Sequence, residues 1–151
     1  MKTKPKTIFI LTILTLLVLL LLSIYLMSLG ENNKENQTYV YVSKVVDGDT
    51  FEMSDNVTIR LLCVDAPEKG KKGYEESKEF LASVILDKEV RLEKDISDKD
   101  AYGRLLRYVY ANISGVELFV NEQIVQEGYA KVFRYGNDTN KCDEIEGLQY
   151  G

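Results

Sequence analysis

The sequence predicts a mainly β, α+β barrel domain behind one N-terminal apolar helix, and three observations lead there. After Lys2, Lys4 and Lys6, residues 8–29 contain no charge. Beyond residue 38, short runs rich in β-branched and aromatic residues recur between turn signals, which is strand patterning. Two stretches, 74–87 and 118–126, instead carry the three-to-four-residue apolar spacing of a helix.

The run 8–29 would span roughly 30 Å as a helix, enough for a bilayer core. A cleaved secretory signal usually has an apolar region of only about 7–15 residues. The run is therefore read as an uncleaved signal anchor in preference to a signal peptide, although Ser28-Leu29-Gly30 supplies a small-residue cleavage site. Lysines before the run place the N-terminus in the cytoplasm and the remainder outside. The expected division is 1–30 signal anchor or signal peptide, 31–37 polar linker, and 38–151 one small domain with one core. The expected location is the cell membrane with the domain outside, or secretion if the signal is cleaved. Four Asn-x-Ser/Thr sequons, at Asn36, Asn56, Asn112 and Asn137, are open to an exported chain.

Within the domain, residues 39–46 form a first strand. Asp47-Gly48-Asp49 is a turn, and 50–53 alternates as the returning strand. A second turn at 54–56 leads to a third strand, 57–64. A basic loop, 69–73, precedes the helix at 74–87, whose apolar residues Phe80, Leu81, Val84 and Ile85 share a face. Residues 90–93 are a fourth strand, 95–100 a charged turn and 105–110 a fifth strand. The helix at 118–126 stops at Gly128, and 130–133 is a short extended piece. Three meander strands, a helix, two strands and a second helix match a five-stranded Greek-key barrel of the OB type with two to three helices.

Composition narrows the chemistry. Past the three N-terminal lysines, 16 Lys and Arg face 24 Asp and Glu, a net charge of about −8. A general nucleic-acid binder carries a basic face, so any polyanion chemistry must rest on a local site. The chain has no histidine, which excludes Ser-His-Asp and Cys-His catalysis and His-ligated zinc. Cys63 and Cys142 could pair in an oxidising compartment. Cys63 sits in an apolar run, however, and is expected to pack as a small buried hydrophobe rather than in a disulfide.

Candidate site residues fall in three places. Asp47 and Asp49 stand in the first turn, Arg60, Asp65 and Glu68 around the end of the third strand, and Tyr102 and Arg104 at the start of the fifth. Each has an ordinary explanation: Asp in turns satisfies local N–H groups, and an ion pair with Asp65 or Glu68 would account for a guanidinium in an apolar strand. Together they make more. Asp49 and Asp65 offer hard oxygens such as Ca²⁺ takes, with a backbone carbonyl and waters completing the shell. Arg60 and Arg104 can grip a phosphate and stabilise charge developing at phosphorus. Glu68 can accept a proton from an attacking water.

The segments Val-Val-Asp-Gly-Asp-Thr (45–50), Arg-Leu-Leu-Cys-Val-Asp-Ala-Pro-Glu (60–68), Asp-Ala-Tyr-Gly-Arg (100–104) and Val-Asn-Glu-Gln-Ile-Val-Gln-Glu-Gly-Tyr-Ala-Lys-Val (120–132) resemble, in order and spacing, the staphylococcal nuclease family. The resemblance implies an OB-fold, Ca²⁺-dependent endonuclease that cleaves DNA and RNA to leave 3′-phosphate ends, and a monomer. It implies Asp49, Asp65 and the Ala66 carbonyl as metal ligands, with Asp47 nearby. Arg60, Glu68 and Arg104 become catalytic, with Tyr102 beside a terminal phosphate or sugar. Phe133 and Tyr135 stand where the family places base-stacking tyrosines. Departures are the Ala66 where the family often has Thr, a loop at 69–72 shorter than in the secreted type protein, and a C-terminal helix reduced to about 140–148. A non-catalytic OB module that binds nucleic acid or protein is the alternative. A membrane adaptor with a structural Ca²⁺ is a third reading.

Overall fold

The computed structural model describes residues 5–31 and 38–149, and the chain divides into two compact units, Met1–Asn36 and Gln37–Gly151. In the first, α1 (Pro5–Glu31) is a single helix. Pro5 opens it where a missing N–H costs nothing, and a run of leucines sustains it. Its Thr12, Thr15 and Ser23 hydroxyls each donate to a carbonyl three residues back, so the polar side chains are satisfied within the helix. The side chains described along α1, at 9–10 and 12–25, are exposed and mostly apolar. Among the described residues no helix is long and apolar enough to cross a membrane. The anchor therefore rests on the sequence count over 8–29, part of which has no described side chains. Linker residues 32–37, with the sequon at Asn36, lie outside the described residues.

In the second unit, β1 (Thr38–Val45), β2 (Thr50–Met53) and β3 (Thr58–Leu61) form the expected antiparallel meander, with Val45 opposite Phe51 and Thr50 opposite Arg60. A two-residue strand, β4 (Val64–Asp65), leads to α2 (Tyr74–Ile85). Then β5 (Glu89–Glu93) pairs with β1 on one side and with β6 (Leu105–Ile113) on the other. A parallel pairing of β3 with β6, Arg60 opposite Leu106, closes a five-stranded barrel. Closure removes the free sheet edges and fits the OB type. The chain ends through β7 (Val116–Phe119), α3 (Val120–Gln126), β8 (Lys131–Val132) and α4 (Cys142–Gln149).

Phe51, Ile59, Leu61, Val90 and Val109 are buried in the barrel. Tyr108, on the other face of β6, is buried with its hydroxyl donating to Asp95 Oδ2. Three helices cover its faces with Leu81 and Ile85 from α2, Ile124 from α3 and Ile145 from α4, all fully buried. Buried Asn121 pins α3 to the barrel: its side-chain amide donates to the Leu62 carbonyl at 2.8 Å, and its oxygen accepts from Val109 N at 2.8 Å. A buried amide with its partners met in this way fixes one docking angle.

Three expectations are corrected. The third strand does not run through 57–64: it stops at Leu61, and the chain turns at Cys63 in a left-handed conformation (φ 60°). Cys63 is not a free packing hydrophobe but is disulfide-bonded to Cys142, 79 residues away. The second long helix begins at Val120, because 116–119 is a strand that pairs back on β6 with Ile113 opposite Val116. Ser114 and Gly115 both have positive φ there, the requirement of a two-residue type I′ hairpin.

One close approach positions the site. A Cβ on Gly48 would fall 1.6 Å from Ser77 Oγ and 2.7 Å from the Cβ atoms of both Ala66 and Ser77. The acidic turn thus packs against α2 and the residue after β4 with no room for a side chain. Gly48→Ala is expected to lower stability by about 1–3 kcal/mol, as overpacking does. Ser77→Ala is expected to be neutral or stabilising, because the Ser77 hydroxyl is fully buried and has no hydrogen-bond partner among the described residues. Thermal melts of both variants check the pair. An unaltered melting temperature in Gly48→Ala would mean the turn can swing away from α2.

Candidate active site

Arg60 is the next-to-last residue of β3, and four groups surround its guanidinium. Nη1 donates to the carbonyls of Leu61 and Val64 at 2.7 and 2.6 Å. Nη2 pairs with Asp49 Oδ2 at 3.1 Å and faces Asp65 Oδ1 at 3.8 Å. The turn at Cys63 makes this possible, since it brings the Val64 carbonyl back beside the strand it has just left. The ion pair that would account for a buried arginine is therefore present, through Asp49 as well as Asp65.

Asp49 is buried in the turn after β1. Its Oδ1 accepts from the Thr50 hydroxyl at 3.0 Å and its Oδ2 from Ala66 N at 2.8 Å. Asp47 Oδ1 accepts from Asp49 N at 3.1 Å, which shapes the turn. Burial pushes the Asp49 carboxyl up to about 6, against the attraction of Arg60 and the Ala66 hydrogen bond, with repulsion from Asp47 adding to the rise. A carboxylate whose desolvation outweighs its partners is one that a nearby cation would stabilise.

Among the described residues no group of three or more acidic or cysteine side chains is gathered closely enough to hold a metal ion by itself. Asp49 and exposed Asp65 share Arg60 and offer carboxylate oxygens at one place, and Ala66 follows Asp65 in the chain. Such oxygens fit a hard cation that keeps waters in its shell.

Across the β3–β6 pairing lies the second arginine. Asp100 Oδ1 accepts from the backbone N–H groups of Tyr102 and Arg104 at 2.9 and 3.0 Å, and its Oδ2 from Arg104 Nε at 2.6 Å. Burial works to raise the Asp100 carboxyl, but these bonds outweigh it and hold it below the usual range. Asp100 fixes both the turn and the guanidinium. In the sequence Asp100 reads as part of a charged turn, and the signal for its role is an Asp two and four residues before the N–H groups it caps.

Arg60, Tyr102, Arg104, Phe133 and Tyr135 line one cavity of about 220 Å³, with Cys63 and Leu106 among its other walls. Tyr102, Phe133 and Tyr135 are 86%, 50% and 53% exposed, and the Arg104 guanidinium lies over the Tyr102 ring, 5.4 Å from its centroid. The structure therefore places both arginines and the three expected substrate-binding residues, Tyr102, Phe133 and Tyr135, at one opening. Glu68 stands apart. It lies on the exposed turn beyond β4, and among the described residues its carboxylate makes no hydrogen bond or ion pair.

Comparison with known proteins gives a concordant result. Residues 58–150 match the family model described as staphylococcal nuclease homologue. The chain is 34% identical over 131 residues to the thermonuclease of Staphylococcus hyicus, covering 81% of this chain and 75% of that protein. It is 35% identical over 103 residues to a micrococcal nuclease of Shigella flexneri, covering 62% and 58% of the two chains. It is also 31% identical over 124 residues to endonuclease YncB of Bacillus subtilis, covering 75% and 57%. The chain thus spans less than two thirds of the length of the second and third of these relatives.

Proposed function

The chain belongs to the staphylococcal nuclease family, and from that premise we propose that it is a Ca²⁺-dependent endonuclease cleaving DNA and RNA to leave 3′-phosphate ends. The observation that carries the reading is the convergence of Arg60 and Arg104 on one cavity beside the Asp49–Asp65 pair.

In this reading Arg60 and Arg104 bind the non-bridging oxygens of the scissile phosphodiester. Two guanidiniums fixed in advance stabilise the extra charge as water adds to phosphorus. Arg60 is held by two carbonyls and Arg104 by Asp100, so neither needs to reorganise. Glu68 takes a proton from the attacking water, its exposed carboxylate being free to move there. The bond from phosphorus to the 5′-oxygen breaks, leaving a 3′-phosphate on one fragment and a 5′-hydroxyl on the other. Tyr102, Phe133 and Tyr135 stack on a base or sugar, worth roughly 1–3 kcal/mol per stacked base. Asp49, Asp65 and the Ala66 carbonyl would hold Ca²⁺, which when bound supplies charge neutralisation at the phosphate and a lowered pKa for a coordinated water.

Asp100→Asn keeps the size of the side chain but removes the charge that orients Arg104. A fall in kcat of roughly one to two decades is expected, together with a lower melting temperature at neutral pH, because the charged carboxylate is the form the fold stabilises. An unaffected kcat would show that Arg104 does not depend on Asp100.

We further infer that α1 carries the domain outside the cytoplasmic membrane, anchored or, if cleaved, secreted. Support comes from the charge-free run 8–29 after three lysines and from the disulfide, a bond that persists in oxidising compartments.

The test of the function is end-group analysis. Single-stranded DNA and RNA incubated with the purified full chain and Ca²⁺ are expected to give 3′-phosphate and 5′-hydroxyl ends, and no product with a chelator. Products with 5′-phosphates, or cleavage indifferent to the chelator, would overturn it.

A further inference from the structure

The domain is acidic, yet its positive charges are unevenly engaged. Lys44, Arg60, Arg91, Lys94, Arg104, Arg107, Arg134 and Lys141 each pair with a carboxylate. Lys88 donates instead to the carbonyls of Ser83 and Val84 at the end of α2. Among the described residues, Lys69, Lys71, Lys72, Lys78, Lys99 and Lys131 take part in no ion pair. Three of these six are in the short loop after β4. A fourth, Lys131, sits on β8 directly opposite Asp65 in the antiparallel register.

Lys72 and Lys131 line a second cavity, of about 300 Å³, whose other walls include Asp65, Ala66, Pro67 and Tyr129. Arg60 borders the first cavity and Asp65 the second, and the two side chains face each other at 3.8 Å. The two openings therefore meet at the Arg60–Asp65 pair, one lined by aromatic rings and arginines, the other polar and lysine-flanked. Lysine is a mobile point charge suited to a phosphate whose exact placement does not matter, whereas arginine suits one that must be held in a fixed geometry.

Resting on the nuclease reading above, we propose that this second cavity is a subsite for the backbone phosphate next to the scissile one, held by Lys72 and Lys131. The chain would then select polynucleotides over mononucleotide diesters, despite its net negative charge. Lys69 and Lys71 extend the same positive edge from the loop.

The experiment compares wild type, Lys72→Gln/Lys131→Gln and, as a control that removes the same charge elsewhere, Lys78→Gln/Lys99→Gln. Each is assayed on a single-stranded oligonucleotide and on a nitrophenyl ester of thymidine 3′-phosphate, which has no second phosphate. Binding of the oligonucleotide is also measured by fluorescence anisotropy in chelator across a salt series. The Lys72/Lys131 variant is expected to lose on the order of ten-fold in oligonucleotide kcat/KM, carried by KM. Its binding should show a shallower salt dependence, and its rate on the small ester should not change. Equal losses on both substrates, an unchanged oligonucleotide KM and affinity, or the same loss in the control variant would each overturn the subsite. If wild type cleaves neither substrate, the nuclease reading fails on its own. The anisotropy still decides the subsite: weaker, less salt-dependent binding in the Lys72/Lys131 variant alone supports it, and unchanged binding overturns it.

Discussion

Replacing Arg60 by alanine is expected to lower the cleavage rate at saturating substrate by two decades or more, about 2.7 kcal/mol, the scale of losing one donor aimed at developing charge. The effect should exceed that of most single changes because Arg60 has two roles. In the proposed mechanism its guanidinium donates to the phosphate, and in the structure it also pairs with Asp49 and faces Asp65. Removing it leaves a buried carboxylate, Asp49, without its cation, so some loss of stability accompanies the loss of rate. Arg60→Lys separates the two. A lysine restores one positive charge but cannot donate to two carbonyls and two carboxylates together. The lysine variant should regain stability while remaining slow. Steady-state kinetics beside thermal melts make the comparison. A fast Arg60→Lys enzyme would mean that charge alone, without the fork, serves the phosphate.

Reduction of the Cys63–Cys142 disulfide is the second large effect. The bond closes a loop of 79 residues, and the chain-entropy relation puts its contribution at about 4.5 kcal/mol. A domain of this size has a total stability of only about 5–15 kcal/mol. Reduction, or Cys63→Ser with Cys142→Ser, is expected to lower the melting temperature on the order of 20 °C. The loss should fall first on α4, whose other ties among the described residues include buried Ile145 and the Arg134 ion pairs with Asp143 and Glu146. It should then reach the site, since Cys63 walls the first cavity and its carbonyl accepts from Phe133 N at 3.1 Å. Melts with and without reductant check this. An unchanged melting temperature would mean α4 is held by packing alone.

Much of this was legible in the sequence, for reasons that can be traced. The meander and the barrel order followed from alternation and turn chemistry, because both are local. Arg60 stands out because a guanidinium in an apolar strand needs a partner, and the structure pairs it with Asp49 and Asp65. Asp49, Asp65 and Arg104 stand out by their conjunction with it across the neighbouring motifs. Cys63 was misread because the continuous apolar run 61–64 looks like strand, and nothing local marks a left-handed turn at a cysteine. Its bond to Cys142 is a long-range fact. β7 was missed even though Ser114-Gly115 is a hairpin signal, since the apolar residues on either side also suit a helix. Asn121, buried and fully hydrogen-bonded, reads in sequence as one more polar residue on a helix. The pairing of Lys131 with Asp65 across β8 needed the fold, because two residues of strand are too few to show a pattern.

The central claim is that the acidic pair and the two arginines act together as one phosphodiester-cleaving site. Its most direct test is to record thermal stability and cleavage of a labelled single-stranded DNA on the same sample of the full chain, with Ca²⁺ and with a chelator. The account predicts that Ca²⁺ both raises the melting temperature and switches on cleavage, and that Asp49→Asn removes both responses. A rise in melting temperature without any cleavage would contradict it, leaving a structural calcium site on a binding module.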